Sequence, residues 1–144
     1  MTSVPLLLDS SVYIAAMRRG DRTPVSRRSL QPFGVLWLSA VVLEELYAGS
    51  LPSSVREIEE LERDFTRLKR VLVPTQADWT SAGRILARVA GKYDYEGIGR
   101  SRLVNDALIA SSAARTGMLV FTLNAGDFAR IAEFRPFRWQ VLEF

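Results

Sequence analysis

If this chain is an enzyme, carboxylates must do its chemistry, because its 144 residues include no histidine and no cysteine. Without histidine there is no imidazole base and no Ser-His or Cys-His nucleophile pair. Without cysteine there is no thiolate metal site and no disulfide framework, which fits a reducing cytoplasm. Acids do occur where catalysis would use them. Asp9 ends the apolar run Leu6-Leu7-Leu8, with Ser10 and Ser11 leading into a helix. Glu44 and Glu45 lie one turn into the helical stretch that begins Ser39-Ala40-Val41-Val42. Asp106 falls among Leu103, Ile109, Ala110 and Ala113, and Asp127 follows Phe121-Thr122-Leu123-Asn124.

Each acid has an ordinary explanation. Asp9 or Ser10 could simply cap the helix it precedes, and Asn124 with Asp127 would make a sound helix start. A helical wheel puts Glu44 and Glu45 on opposite flanks of one apolar face and does not choose between them, although the space beside Gly49 tips the balance toward Glu45. Asp106 is the most informative, because a carboxylate in an apolar stripe costs several kcal/mol unless a cation or strong donors meet it. A buried arginine pair would serve as well as a metal.

Taken together, the acids imply a metal. Two carboxylates about 4 Å apart repel by roughly 4 kcal/mol at intermediate dielectric, so a cluster of them is stable only around cations. Oxygen ligands without sulfur or imidazole select Mg²⁺ or Mn²⁺. A metal-activated water attacking a phosphodiester needs no histidine. With 19 basic and 16 acidic residues, setting the four acids aside leaves the remainder at +7, a charge suited to a polyanion.

Those acids can meet only if the chain folds as alternating strands and helices. Apolar runs at Pro5–Leu8, Val35–Ser39, Val71–Val73, Met118–Thr122 and Trp139–Leu142 read as strands separated by helical periodicity. The pattern predicts a three-layer α/β/α sandwich on a mainly parallel sheet, in which ligands bind beyond the carboxyl ends of the strands. With the first strand central, the elements after strands one, two and four converge on one cleft. Helices are expected over Ser53–Arg70, with Ser54 and Glu57 as a capping box, and over Asp78–Ala90, capped by Thr75 and presenting Trp79, Ala82, Leu86 and Val89 along one stripe. A third should cover Arg102–Arg115 and end at Gly117, and a short one should follow Asn124.

The length is that of one domain, 1–144, able to bury a single core. The opening apolar run is too short for a signal sequence or a membrane span. Arginine far outnumbers lysine, as bidentate phosphate recognition or genome composition would each produce. Two stretches look irregular. Residues 18–32 read as a mobile basic loop or a loosely wound helix end. There Arg18, Arg19, Arg22, Arg27 and Arg28 face one acid, Asp21, and could track RNA phosphates. Gly91 to Gly99 reads as a second loop, and Tyr13, Tyr93 and Tyr95 either stack bases or pack.

Four ordered blocks resemble the PIN-domain family, and within it the VapC-type toxin ribonucleases: Leu7-Leu8-Asp9-Ser10-Ser11, the stretch Ser39 to Gly49, Asn105-Asp106-Ala107-Leu108-Ile109-Ala110, and Thr122 to Phe128. The family's acid before Leu-x-x-Gly maps onto Glu45. Its other metal-binding acids map onto Asp9, Asp106 and Asp127, with Ser10, Thr122 and Asn124 as supporting polar residues. The resemblance implies Mg²⁺- or Mn²⁺-dependent cleavage of structured RNA such as tRNA or rRNA, and homodimerisation. It also implies inhibition by a small cognate antitoxin, lying across a groove near the early helices and presenting an arginine to the acids. The stretch between Gly20 and Gln31 is longer and richer in arginine than in compact members.

Two rivals compete. A haloacid-dehalogenase-type phosphotransfer enzyme wants a second aspartate two residues after Asp9 and a late lysine, but Ser11 stands at that position and the only lysines are Lys69 and Lys92. A non-catalytic PIN-like scaffold binding RNA or protein would keep the fold and lose turnover. No strand leads into a Gly-rich phosphate loop, which argues against dinucleotide and P-loop enzymes more strongly still.

Overall fold

A computed structural model describes the backbone of residues 3–94 and 98–143, and the side chains of all of these except 98–102. Five strands, β1 (Pro5–Leu8), β2 (Val35–Ser39), β3 (Val71–Leu72), β4 (Leu119–Thr122) and β5 (Arg138–Val141), form one sheet in the order β3-β2-β1-β4-β5. Every pairing is parallel. The expected mainly parallel sheet is therefore wholly parallel, and the architecture is the α/β three-layer sandwich the alternation implies. Leu6, Leu7 and Leu8 are fully buried, because a central parallel strand is covered on both faces and needs no polar side.

Between the strands run α1 (Ser10–Arg19), α2 (Arg27–Leu30), α3 (Ala40–Ala48), α4 (Val55–Arg67), α5 (Gln76–Tyr93), α6 (Ile98–Thr116) and α7 (Ala125–Ala132). Thr75 caps α5, and Asp78 closes a capping box by accepting from the Thr75 N–H at 2.9 Å. The box expected at Ser54 and Glu57 does not form. Ser54 Oγ instead accepts from the Leu51 N–H at 3.0 Å, so the turn before α4 takes the hydroxyl the helix would have used. The stripe expected on α5 is also rotated. Trp79 is 56% exposed, while Asp78, Ala82, Ile85 and Val89 face inward. Asp78 draws the helix round because Arg115 meets it in a bidentate pair, with N–O distances of 2.9–3.1 Å.

Neither irregular stretch is wholly loop. After Gly20 the chain makes a 3₁₀ turn over Thr23–Val25 and then α2, pinned by the buried side chains of Val25 and Leu30. Ser26 caps α2 by accepting from the Ser29 N–H. Gly91, Lys92 and Tyr93 extend α5, and α6 begins at Ile98, four residues earlier than the periodicity predicts. Tyr95 lies outside the described residues. Gly34, entering β2 at φ +156°, is required sterically: an added Cβ would sit 2.0 Å from the Val4 carbonyl oxygen. No helix among the described residues is long and apolar enough to cross a membrane.

Candidate acid site at the carboxyl end of the sheet

The strand order puts β1 between β2 and β4, so the segments leaving these three strands meet at their carboxyl ends. Chain connections diverge from β1 to either side there, which is where an open parallel sheet leaves a crevice. Asp9, α3 and α7 all start from that edge.

Asp9 is buried and is the N-cap of α1, so the ordinary explanation of that residue is correct as far as it goes. It does not exhaust the carboxylate. Oδ1 accepts from both the N–H and the hydroxyl of Ser11, and Oδ2 accepts from the hydroxyl of Thr122, which closes β4. The two hydroxyls are themselves fixed. Ser11 Oγ accepts from the Leu123 N–H at 3.1 Å, and Thr122 Oγ1 accepts from the Asn124 N–H at 3.0 Å, which leaves each proton to point at Asp9. A carboxylate has about four lone-pair positions. Three are taken, and one on Oδ2 is left.

Glu45 stands beside it on α3, whose start is held by Ser39 Oγ accepting from the N–H groups of Val41 and Val42. Glu44 is exposed and Glu45 half-buried, so the fold settles what the helical wheel could not. Glu45 Oε1 is buried with no hydrogen-bond partner. Burial pushes the Glu45 carboxyl above the ordinary glutamate range, and the charges of Asp9 and Glu44 add to the shift, while hydrogen bonds from Ser10 and Asn105 oppose it. Asn105 also donates to Glu44 Oε2 at 3.0 Å. Ser11 thus holds Asp9, while Ser10 favours the charged form of Glu45.

The remaining expected residues are arranged less tightly. Asp106 is half-buried on α6, next to Asn105. Asp127 lies in the first turn of α7, with Arg130 at 3.3 Å from its carboxylate. Asn124 occupies the N-cap position of α7, but its side chain makes no capping bond and is exposed, so the amide is not spent on the helix. Among the described residues no group of three or more acids lies close enough to hold one ion. What the fold brings together is the pair Asp9 and Glu45, with Ser10, Ser11, Asn105 and Thr122 around it.

Ser11 and Asn105 are contributors that sequence reasoning misses. Ser11 does carry a local signal, since a hydroxyl two residues after an N-cap aspartate can fold back onto it. Asn105 carries none, because its partner Glu44 lies 61 positions away on α3. Tyr13 is buried with its hydroxyl unpartnered and its pKa raised by burial, so it packs rather than stacking a base at the surface. The basic residues do not line this crevice either. Arg18 and Arg19 end α1, and Arg22, Arg27 and Arg28 line a separate cavity at the start of β2.

A buried aspartate at a strand end, clamped by hydroxyls and faced by a glutamate one helix away, is the site geometry on this fold. The family model for the PIN domain matches residues 6–134, and the chain belongs to that family. Its structure is similar to a DNA-bound VapBC from Salmonella typhimurium, with 22% identity over 96% of this chain and 98% of that one and a TM-score of 0.66. VapBC2 from Rickettsia felis, bound to a DNA fragment from its promoter, gives 18% identity, 97% and 100% coverage and a TM-score of 0.69. VapBC-1 from nontypeable Haemophilus influenzae gives 26%, 96% and 98%, and 0.64. No curated protein sequence matches the chain.

Proposed function

We propose that this PIN-domain protein is a Mg²⁺- or Mn²⁺-dependent endoribonuclease, the VapC-type toxin half of a type II toxin–antitoxin pair. The observation that carries the reading is the buried, unpartnered Glu45 Oε1, on a carboxylate that feels the charge of the clamped Asp9. A buried carboxylate oxygen without a donor is costly, and a hard divalent cation is the group whose chemistry fits an all-oxygen donor set. Asp9 and Glu45 would hold the ion, with Asp106 and Asp127 completing its surroundings and Asn124 facing the substrate. A bound ion would supply an activated water and neutralise charge developing on the scissile phosphate. The chain's own part is orientation. Ser11 and Thr122 fix the Asp9 carboxylate, and the apolar sheet beneath excludes water from that side.

The likeness to VapBC complexes supports a protein partner, and the resemblance of the acid blocks to VapC-type toxin ribonucleases suggests the substrate. The substrate class is structured RNA, tRNA or rRNA, and the partner is a cognate antitoxin lying near the early helices. The protein acts in the cytoplasm as a homodimer. The competing reading is a PIN-like scaffold without turnover, and it draws on the absence of a three-acid group among the described residues. Titration decides between them. Mn²⁺ at about a hundred times its Kd should stabilise the wild type by about 2.7 kcal/mol, with a matching rise in melting temperature, and should not stabilise Asp106→Asn. Cleavage of labelled tRNA should require the metal. A wild type that neither shifts with metal nor cleaves RNA is a scaffold.

A further inference from the structure

The arginine-rich connection after α1 is used by nothing in the acid site. With the start of β2 and one face of α4 it encloses a cavity of about 860 Å³. Arg22, Arg27 and Arg28 line it from the connection, and Arg70 lines it from just ahead of β3. Its apolar lining includes the buried side chains of Val25 and Phe65. The single acid on its wall, Asp64, is held by Arg67 at 2.8 Å. Among the described residues no acid lies within ion-pair distance of any of the four lining arginines.

Position gives this cavity its meaning. Gly34, Val35 and Leu36 on its wall mark the amino end of β2, whereas Ser39, which caps the Glu45 helix, closes the other end. Four residues of strand separate them by about 13 Å. The connection is anchored by burial of Val25 and Leu30 rather than by ion pairs, so its guanidiniums are not committed to holding the fold. A single carboxylate ligand would engage one guanidinium fork. Four forks on two separate segments suit a chain of regularly repeated anions.

We propose that this cavity is an exosite for the phosphodiester backbone of the RNA, engaging the substrate at the opposite end of the sheet from the acids. The proposal rests on the ribonuclease reading for the identity of the polyanion. It adds that a productive substrate must be long or folded enough to reach both ends of the sheet.

The test is binding of a fluorescein-labelled RNA hairpin to the full chain in EDTA, where no turnover occurs. The triple variant R22A/R27A/R28A alters three exposed side chains, and an unchanged melting temperature will verify its fold. It should bind more than about tenfold more weakly between 50 and 200 mM salt, with the slope of log K against log salt reduced by about 2, near 0.7 per lost phosphate contact. The R22K/R27K/R28K variant keeps the charge and should keep most of the slope. Unchanged affinity and slope in the alanine variant overturn the exosite. Tighter binding of labelled polyglutamate than of the hairpin, abolished by the same variant, overturns it in favour of an acidic peptide. Failure of the ribonuclease reading appears separately, as hairpin binding intact in EDTA with no cleavage once metal is supplied.

Discussion

Replacing Thr122 by valine, which has the same shape and no donor, isolates the bond on which the geometry of Asp9 depends. In the wild type Thr122 Oγ1 donates to Asp9 Oδ2 and accepts from the Asn124 N–H, and the residue is fully buried. A hydrogen bond to a charged group contributes about 1.5–3 kcal/mol, and the Asn124 N–H loses its acceptor as well. That N–H lies at the exposed start of α7, where water can replace the bond, so its share is the smaller one. The expected loss is about 2–3 kcal/mol, or roughly 6–12 °C in melting temperature for a chain of this size.

The assay is thermal melting in EDTA, so that stability is read without any metal. Thr122→Ser restores the hydroxyl and should recover most of the loss. A second measurement, calorimetric titration with Mn²⁺, should show affinity about 10–100-fold weaker in the valine variant, as expected on removing a group that orients a ligand. A valine variant melting within a degree or two of the wild type would refute the clamp, because a buried carboxylate cannot lose a donor without cost.

Three further outcomes follow from the same structure. Arg115→Ala strands the buried Asp78 carboxylate and should cost about 2–3 kcal/mol by denaturant titration, less than a fully buried pair because the Arg115 side chain is 36% exposed. Burial raises the Asp78 carboxyl, but the bonds and charge of Arg115 and the Thr75 N–H outweigh it and hold the group below the ordinary aspartate range. Since the folded value lies below the unfolded one, the pair's contribution is complete above about pH 4 and is lost as pH falls through the folded value; the Arg115→Ala deficit should therefore shrink only in acid. Gly34→Ala drives a Cβ into the Val4 carbonyl and strains a backbone at φ +156°, and a loss of at least about 3 kcal/mol in the denaturant midpoint is expected. Glu45→Gln should leave the metal-free melting temperature unchanged or raised, because it removes a buried charge with an unpartnered oxygen, while abolishing the Mn²⁺-dependent rise.

Legibility in the sequence follows the range of the interaction concerned. Strand positions are readable because Leu6-Leu7-Leu8 and Val35-Leu36-Trp37-Leu38 are local runs whose burial depends only on their being central. The cap at Thr75 is readable for the same reason. The face that α5 presents is not, since it turns on Asp78 meeting Arg115 on another helix, 37 positions along. The order of the basic connection is hidden as well. Its arginines and glycine dominate the composition, yet two isolated apolar residues, Val25 and Leu30, fix it. In the site, Asp9 and the Glu44-Glu45 pair are identifiable from their place after strands, but which glutamate turns inward is decided by packing. The donors that distinguish their roles are set by contacts with Thr122 and Asn105 that no local pattern encodes.

The two acids at the centre of the crevice are treated oppositely by the fold, and the difference has a physical reading. Asp9 receives three donors from β4 and its own helix, so its charge is satisfied and its orientation is tied to the β1–β4 pairing itself. It cannot turn without breaking bonds that also join two central strands. Glu45 is pressed into the same crevice with one oxygen unmet and a like charge nearby, and the opposing influence of Ser10 and Asn105 does not outweigh that cost. A rigid anion beside an under-satisfied one is a poor arrangement for stability, where two apolar residues of similar volume would serve better. It is a good arrangement for attracting a ligand, because the energy recovered on pairing Glu45 appears as binding free energy and Asp9 is already oriented to share it. The same reasoning bears on where Arg22, Arg27, Arg28 and Arg70 stand, at the far end of β2: placed beside Glu45, an arginine would discharge the pair and leave nothing for an incoming cation to gain.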